Sequence, residues 1–344
     1  FFKQKTAYEI RPRDWSSDVC SSDLARYRTG RPRGFSGDNP RMEPRNVWID
    51  GHLVGAGGRH LNVGDRGFQL GDAVFETLRA RAGRSIELDR HVARLRHSLD
   101  MLAIDAGGDL ADRLADGIRT LLAAEGLAGE EGDAAVRITI SRGAAAGRGI
   151  LPPPASRPTI VIQAWPFSPP PAAHLAEGLN VVVSAVRRDP ENPMSVVKST
   201  SRADSVYARL EAARAGADDA VFLTTDGYLS EATSANLFLV LGGRLRTPAL
   251  ACGILEGTTR AWLLEWGAAN GLDAEEGYLT TRQLAEADEA FLCSSVAGVI
   301  PLTRLEGRPI GDGRPGPITC RARAEREACF VPAPGGSAPG GARR

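Results

Sequence analysis

The stretch Val196-Val197-Lys198-Ser199-Thr200-Ser201-Arg202 places a lysine at the end of a short apolar run. An amine in this position can be held partly desolvated, which lowers its pKa and frees a lone pair to attack an aldehyde. Further along, Asp226-Gly227-Tyr228-Leu229-Ser230-Glu231 places a carboxylate after a turn. Lys198 and Glu231 are interpreted together, as the two reactive groups of one site.

The pair suits a cofactor with an aldehyde and a pyridine ring. Lys198 would form an imine, the internal aldimine, with the aldehyde. Glu231 beside the ring nitrogen would keep that nitrogen protonated, so that the ring accepts the electrons released at the substrate's α carbon. The two residues predict a pyridoxal 5′-phosphate site. Taken singly, each would be an ordinary surface charge, so the interpretation depends on the surrounding segments.

Four further segments occur in order around this pair: Gly71-Asp72-Ala73-Val74-Phe75-Glu76-Thr77, His91-Val92-Ala93-Arg94-Leu95, Gly253-Ile254-Leu255-Glu256-Gly257-Thr258-Thr259-Arg260 and Phe291-Leu292-Cys293-Ser294-Ser295. Together they resemble the class IV (fold type IV) pyridoxal phosphate aminotransferases, the family of branched-chain and D-amino acid aminotransferases and aminodeoxychorismate lyase. The resemblance runs from about residue 46 to about residue 321. It implies an α+β enzyme with a small N-terminal α/β lobe, a larger C-terminal α/β lobe and the cofactor between them.

Composition sets the expected domain limits. Residues 1–24 lack hydrophobic periodicity and resemble translated sequencing-adapter read-through, so Met42 is the predicted natural start. A proline-rich stretch should exclude both helix and central strand, and therefore connect the lobes. The predicted order is a non-native or disordered leader 1–41, a small lobe 42–164, a connector 165–174, a large cofactor-binding lobe 175–331 and a disordered tail 332–344.

Periodicity and turn residues predict the elements within the lobes. Asp50-Gly51 marks a hairpin, and Asp89 is the predicted cap of a helix. Residues 220–225 and 237–241 are expected to pair around the Asp226-Gly227 turn. The other predicted strands are 71–80, 135–141, 179–186 and 289–293, and the other predicted helices are centred on 110–121, 203–215, 257–270 and 317–329.

The cofactor's phosphate needs several donors. A helix beginning at Gly257, Thr258 and Thr259 offers unpaired N–H groups, Ser294 and Ser295 end a strand, and Arg94 adds a cation. Each also has an ordinary alternative, as a helix cap, a strand end or a solvated helix face. The resemblance assigns phosphate binding to all three places. It further implies that Leu255 packs on the pyridine ring, that Ser234 lies in the cofactor shell and that Phe75 contacts substrate.

The segment from Arg137 to Ile150 resembles the strand and loop with which the family reaches the substrate's carboxylate, and Arg148 is the candidate ligand. Ile150 stands where D-amino acid aminotransferases have a histidine, which disfavours a D-amino acid substrate. The Ser141-Arg142-Gly143 stretch also occurs in aminodeoxychorismate lyases. The aromatic-rich substrate strand of branched-chain aminotransferases is missing.

Three functions are compatible with these features. The resemblance implies amino-group transfer from an amino acid to a 2-oxo acid by ping-pong chemistry in a homodimer. The alternative is 4-amino-4-deoxychorismate lyase, in which the same imine chemistry eliminates pyruvate. The third is a noncatalytic binding or chaperone-like protein, against which the presence of both Lys198 and Glu231 argues.

Composition excludes other classes of protein. The formal net charge is zero and arginines are scattered among acidic residues, so no nucleic-acid partner is expected. Because there is no run of about 18 apolar residues, no membrane span is expected. The five cysteines are odd in number and contain no C-x-x-C pair. They predict reduced thiols in a cytoplasmic protein, and no metal site.

Overall fold

The computed structural model describes residues 44–145, 149–154 and 156–330. These residues form two β-sheets that follow one another along the chain. The predicted leader 1–41, the proposed start at Met42, Arg148 and the tail 332–344 all lie outside the described residues. Within the described part of the chain, no helix combines the length and apolarity that a bilayer crossing requires.

The first sheet has the strand order β2-β1-β6-β5-β3-β4, and every neighbouring pair is antiparallel. Its strands are β1 Asn46–Ile49, β2 His52–Gly55, β3 Ala73–Arg81, β4 Arg84–Ser85, β5 Asp133–Ser141 and β6 Thr159–Pro166. The accompanying helices are α1 Arg66–Leu70, α2 Leu88–Met101 and α3 Leu110–Ala124. Leu95 of α2 and Leu114 of α3 recur with other apolar residues at helical spacing and pack with Ile138 of β5 in one core.

The second sheet has the order β12-β11-β10-β13-β14-β7-β8-β9, with β15 added to β14. It is mixed, because β14–β7, β7–β8 and β11–β12 are parallel pairs. Its strands are β7 Leu179–Arg188, β8 Asp219–Thr224, β9 Leu229–Ala232, β10 Asn236–Leu241, β11 Arg244–Pro248, β12 Glu275–Gly277, β13 Glu289–Ser294, β14 Gly298–Leu305 and β15 Arg308–Pro309.

Five helices of the described residues accompany the second sheet, namely α4 Ala172–Ala176, α5 Ala203–Arg214, α6 Thr258–Ala269, α7 Thr281–Ala285 and α8 Pro317–Ala328. Short 3₁₀ turns occur at Pro193–Val196 and Leu250–Cys252. Each of the two sheets is accompanied by helices, and this combination confirms the predicted α+β class.

Strand β3 belongs to the first sheet, is buried on both faces and contacts elements of both lobes. Glu76 contacts His91 and Arg94 of α2 on one face. On the other face, the Arg79 guanidinium donates to Glu327 of α8 at 2.8 Å and 2.9 Å. The first sheet therefore meets the second lobe's elements along β3.

The prediction that residues 220–225 pair with residues 237–241 is wrong. Across the Asp226-Gly227 turn, β8 pairs with β9, the strand that carries Glu231. Residues 237–241 instead belong to β10, which pairs with β11 and β13. The sequence prediction overlooked β9 because this strand has four residues and includes the polar Ser230 and Glu231.

Two other local predictions need correction. Residues 164–166 end the central strand β6, because Pro166 is the strand's last residue and a missing N–H is tolerated there. The cap of α2 is Glu87 rather than Asp89, and its side chain makes no capping hydrogen bond. Asp89 lies within the first helical turn, where its charge favours the helix dipole. The Glu87 carboxylate instead accepts from Arg326.

Candidate active site

Lys198 belongs to an extended segment that is hydrogen-bonded to the edge of β3. Phe75 N donates to Lys198 O at 2.9 Å, and Thr200 N donates to Ala73 O at 2.9 Å. Ser199 forms an antiparallel bridge with Val74. The lysine lies between β7 and α5 in the chain, yet the first sheet fixes its backbone.

The Lys198 side chain packs beside Phe75, with Nζ 4.7 Å from the ring centroid. Burial lowers the pKa of the Lys198 amine to about 8, and the positive charges of Arg94 and Arg202 act in the same direction. Two carboxylates oppose this change without cancelling it, Glu76 and Glu231. The neutral, nucleophilic amine is therefore accessible near physiological pH.

Glu231 is buried on β9. Its Oε2 accepts from Leu255 N at 3.1 Å and from Asn236 Nδ2 at 3.4 Å. Burial raises the pKa of the Glu231 carboxyl, and the positive charge of Arg188 is the largest opposing influence. A charged carboxylate at this depth needs a cationic partner, and a protonated pyridine nitrogen would provide one.

Lys198, Glu231 and Leu255 line the same cleft, which has a volume of about 630 Å³. This volume lies within the range of small-molecule sites. The sequence predicts one site for these three residues, and the structure places all three on the lining of this cleft. Arg188 and Arg202 also line the cleft, so its walls carry positive charge beside Lys198 and Glu231.

Behind the cleft, Glu76 is fully buried and holds two basic side chains of α2. Its carboxylate accepts from His91 Nδ1 at 2.7 Å and from Arg94 Nε and Nη2 at 2.7 Å each. This pairing outweighs burial and lowers the pKa of Glu76 to about 2. Arg94 also donates through Nη1 to the carbonyl of Glu256 at 2.7 Å. The Arg94 guanidinium is thus fixed next to the segment that begins α6.

The N-terminus of α6 offers donors for an anion. Gly257 is its cap and provides no side chain, while the Thr258 hydroxyl is buried without a hydrogen-bond partner among the described residues. The Thr259 hydroxyl accepts from Arg326 Nη2 at 3.4 Å. A Cβ at position 257 would clash with Asn236 Oδ1, so this close approach requires glycine.

The remaining predicted cofactor ligands are three serines, two of which already make hydrogen bonds within the protein. Ser295 Oγ donates to the carbonyl of Thr77 at 2.7 Å, and Ser294 Oγ accepts from Ala297 N at 3.3 Å. Ser234 is exposed in the turn between β9 and β10. Among the residues that the structure describes, the cleft lining includes neither these three serines nor Phe75, Arg94 and residues 257–259. Their contact with the cofactor stays a prediction, as does the role of Arg148.

The donor set fits the parts of pyridoxal 5′-phosphate. Lys198 has an amine of lowered pKa for the aldehyde, Glu231 has a buried carboxyl for the ring nitrogen, and the α6 N-terminus has an unpartnered hydroxyl near a fixed guanidinium for the phosphate. These charges complement the cofactor at three separate points.

Sequence reasoning missed Glu76, His91, Arg137 and Arg202. A signal existed for the first two, because Glu76 falls on a buried strand and His91 and Arg94 lie three residues apart on one helix face. The guanidinium of Arg137, on β5, lies 4.0 Å from the Phe75 ring centroid. Its position next to Phe75 depends on the pairing of β3 with β5, which residue spacing does not reveal.

Comparison with known proteins identifies the family. A model described as amino-transferase class IV matches residues 73–305. The chain is 32% identical over 275 residues to a putative branched-chain-amino-acid aminotransferase of Methanocaldococcus jannaschii, covering 79% of this chain and 92% of that one. It is 30% identical over 278 residues to D-alanine aminotransferase of Bacillus licheniformis, with 79% and 93% covered. It is also 30% identical over 260 residues to aminodeoxychorismate lyase of Bacillus subtilis, with 76% and 86% covered.

Solved structures agree with these relatives. The Escherichia coli branched-chain amino acid aminotransferase matches with a TM-score of 0.79 at 26% identity, covering 84% of this chain and 95% of that chain. A second branched-chain amino acid aminotransferase, whose structure contains pyridoxamine 5′-phosphate, matches with a TM-score of 0.78 at 27% identity, covering 86% and 97%. The chain therefore belongs to the class IV aminotransferases, enzymes that depend on pyridoxal 5′-phosphate.

Proposed function

We propose that this enzyme transfers the amino group of an amino acid to a 2-oxo acid by a ping-pong mechanism, with Lys198 as the catalytic residue. The observation that carries the proposal is the Lys198 amine, whose pKa is about 8, in one cleft with the buried Glu231. When bound, pyridoxal 5′-phosphate supplies an aldehyde that condenses with the lysine and a ring that accepts electrons from the substrate's α carbon.

The chain's own residues then have distinct tasks. Lys198, once displaced by the substrate's amine, moves the proton at the substrate's α carbon, because its lowered pKa allows it to act as a base and then as an acid. Glu231 holds a proton on the ring nitrogen, and Leu255 packs on one ring face. Leu255 N donates to Glu231, so the two positions are coupled.

The phosphate is held in this proposal by Arg94, Gly257, Thr258 and Thr259. Arg94 is already oriented by Glu76, so little side-chain freedom is lost on binding. The orphaned Thr258 hydroxyl gains a partner. Ser234, Ser294 and Ser295 complete the proposed shell. For Ser295, this requires the hydroxyl to turn from the carbonyl of Thr77 and donate to the phosphate instead, because a hydroxyl has a single proton.

Phe75 and Arg148 are the proposed substrate contacts. The Phe75 ring contacts two basic side chains, with Lys198 Nζ at 4.7 Å and the Arg137 guanidinium at 4.0 Å from its centroid. Arg148 would bind the substrate's carboxylate in a bidentate manner, and its flanking glycines would allow close approach.

A lyase acting on 4-amino-4-deoxychorismate is the second candidate. The basic side chains of the cleft lining favour an anionic substrate, and the B. subtilis lyase is one of the similar proteins. One experiment separates the candidates. The cofactor-loaded enzyme is incubated with an amino acid panel plus 2-oxoglutarate or pyruvate, and separately with aminodeoxychorismate. Formation of a new amino acid supports the transferase, whereas pyruvate release from aminodeoxychorismate alone contradicts it.

The assembly proposed for the active enzyme is a homodimer. Four apolar side chains near the cleft are each at least 78% exposed, namely Val63, Phe68, Ile150 and Leu151. Ile150 also lines the cleft, so a second copy that covers these side chains would exclude water from the site. Light scattering should give a dimer mass, and an active monomer would contradict the proposal.

The first prediction uses the low pKa of Lys198. The only other lysines of the chain are Lys3 and Lys5, so the attachment site is easily mapped. The rate at which apo-protein forms a borohydride-reducible adduct with pyridoxal 5′-phosphate should rise with pH through a midpoint near 8 and level off above it, because the neutral amine attacks. Peptide mapping should find the adduct on Lys198. Attachment to Lys3 or Lys5, or a midpoint near 10, would contradict the assignment.

The second prediction concerns Glu231→Gln, which removes the carboxylate that keeps the ring nitrogen protonated. Turnover should fall by about 10²-fold or more, while cofactor remains bound through the phosphate contacts. Glu256→Gln is the matched control, because it removes an exposed charge and leaves the backbone carbonyl that Arg94 contacts. Equal losses of cofactor affinity and turnover would instead make Glu231 a structural residue.

The third prediction separates two arginines. Arg148→Ala should raise KM for the amino substrate at least about 10-fold and leave the spectrum of the bound cofactor unchanged, because it removes a carboxylate contact only. Arg94→Ala should first weaken cofactor retention, measured by dialysis and absorbance. If the Arg148 variant loses cofactor, or turns over like wild type, then the carboxylate is bound elsewhere.

A further inference from the structure

Arg202 is close to both Lys198 and Glu231, because its positive charge acts on each of them. It follows Lys198 closely in the chain, caps α5 and lines the cleft. Its Nη2 donates to the carbonyl of Thr233, which directly follows β9, the strand of Glu231. The guanidinium is therefore tethered to the backbone near Glu231 while its own backbone is close to Lys198. This is the single hydrogen bond of the Arg202 side chain within the described residues.

We propose that Arg202 donates to the anionic 3-oxygen of the bound pyridine ring. The inference rests on the proposed function, in which Lys198 takes the aldehyde and Glu231 the ring nitrogen. In pyridoxal 5′-phosphate, the 3-oxygen is attached on the ring edge that runs from the aldehyde-bearing carbon to the nitrogen, away from the phosphate. A cation that is tethered beside the Glu231 strand and lies close to Lys198 in the chain is suited to donate to this oxygen.

Arg94 is fixed at a different part of the site. Its Nη1 contacts the carbonyl of Glu256, immediately before the α6 N-terminus, which is the proposed phosphate end. Arg94 would thus pair with the cofactor's phosphate and Arg202 with its 3-oxygen. These are the two anionic groups that flank the aldehyde-bearing carbon. Burial is the largest cause of the lowered pKa of Lys198, and the positive charges of both arginines add to it against the opposing charges of Glu76 and Glu231, so both guanidinium groups lie near the amine.

The other arginines of the cleft are engaged elsewhere. Asp72 accepts from both Arg66 and Arg142 at 2.7 Å, and further donors of these two side chains bind backbone carbonyls. Arg188 pairs with Asp204 and stacks on the Phe222 ring, and its Nε and Nη2 are buried without a hydrogen-bond partner among the described residues. Arg202 has donors that are neither buried nor paired within the described chain, so a ligand can reach them.

A cation at the 3-oxygen would have two measurable effects. It adds a charge-assisted hydrogen bond, which is worth about 10-fold or more in affinity. It also disfavours protonation of the Lys198 nitrogen that would be bonded to the cofactor's aldehyde carbon. The visible absorption band of the bound cofactor therefore titrates at lower pH. Loss of Arg202 should raise this midpoint by about one pH unit. The charged groups that face Lys198 from other elements, Glu76, Arg94 and Glu231, are unchanged by the substitution.

The test compares two probes on the full-length apo-protein, pyridoxal 5′-phosphate and 3-deoxypyridoxal 5′-phosphate, which lacks the oxygen. Arg202→Met should weaken binding of the first probe at least about 10-fold and leave the second unchanged. Arg202→Lys keeps the charge and should lose less. The helix cap should persist in both variants, because the Arg202 side chain makes no capping bond. Arg209→Met is the matched control, since Arg209 also contacts Thr233, through Oγ1 at 3.4 Å, but does not line the cleft.

The binding results separate a contact between Arg202 and the 3-oxygen from a structural role of Arg202 and from a failure of the proposed function. Equal weakening of both probes by Arg202→Met would make Arg202 a structural residue, and unchanged binding of both with an unshifted midpoint would overturn the contact. If Arg202→Met does not fold, the ratio of the two affinities in Arg202→Lys decides, and a wild-type ratio overturns the contact. Wild-type protein that fails to attach pyridoxal 5′-phosphate to Lys198 would refute the proposed function, and this contact with it. That result is recognisable before any variant is compared.

Discussion

The burial of Glu76 is the constraint on which the site depends. Removing a carboxylate from water is costly, and only close cationic partners offset that cost. Arg94 and His91 provide them, so α2 is held against β3 in one orientation. The adjacent residue, Phe75, points to the opposite face of β3 and meets Lys198. One strand therefore orients the proposed phosphate ligand on one face and the reactive lysine on the other.

The electrostatic design of the cleft follows from the burial of two groups that would carry opposite charges. Lys198 and Glu231 each face conditions that favour their neutral forms, and their pKa values move in opposite directions, down for the amine and up for the carboxyl. Neither group is neutralised by a direct salt bridge to the other in the described structure. Each is thus left ready for a ligand group that completes its hydrogen bonding. A ring that brings both an electrophilic carbon and a protonated nitrogen satisfies the two at once.

Much of the fold was predictable from local sequence, and the reasons for the failures are physical. The α3 helix and β5 have clear apolar periods, so their existence followed from residue order alone. The pairing of β8 did not, because β9 is short and its burial comes from tertiary packing of polar residues. Lys198, Glu231 and Leu255 were predicted together and line one cleft. Arg202 was missed because its significance arises from a tether to Thr233, a contact that spacing does not encode.

The hydrogen bonds between the Lys198 segment and β3 have a thermodynamic consequence. Since Phe75 N and Ala73 O hold this segment as an additional edge of the first sheet, any opening of that edge also displaces the lysine. A molecule that is bound covalently to Lys198 and through its phosphate to Arg94 and α6 would close the loop between the two sheets. Occupancy would thus act as a reversible cross-link, and the local unfolding free energy of β3 would depend on the supply of the vitamin-derived cofactor.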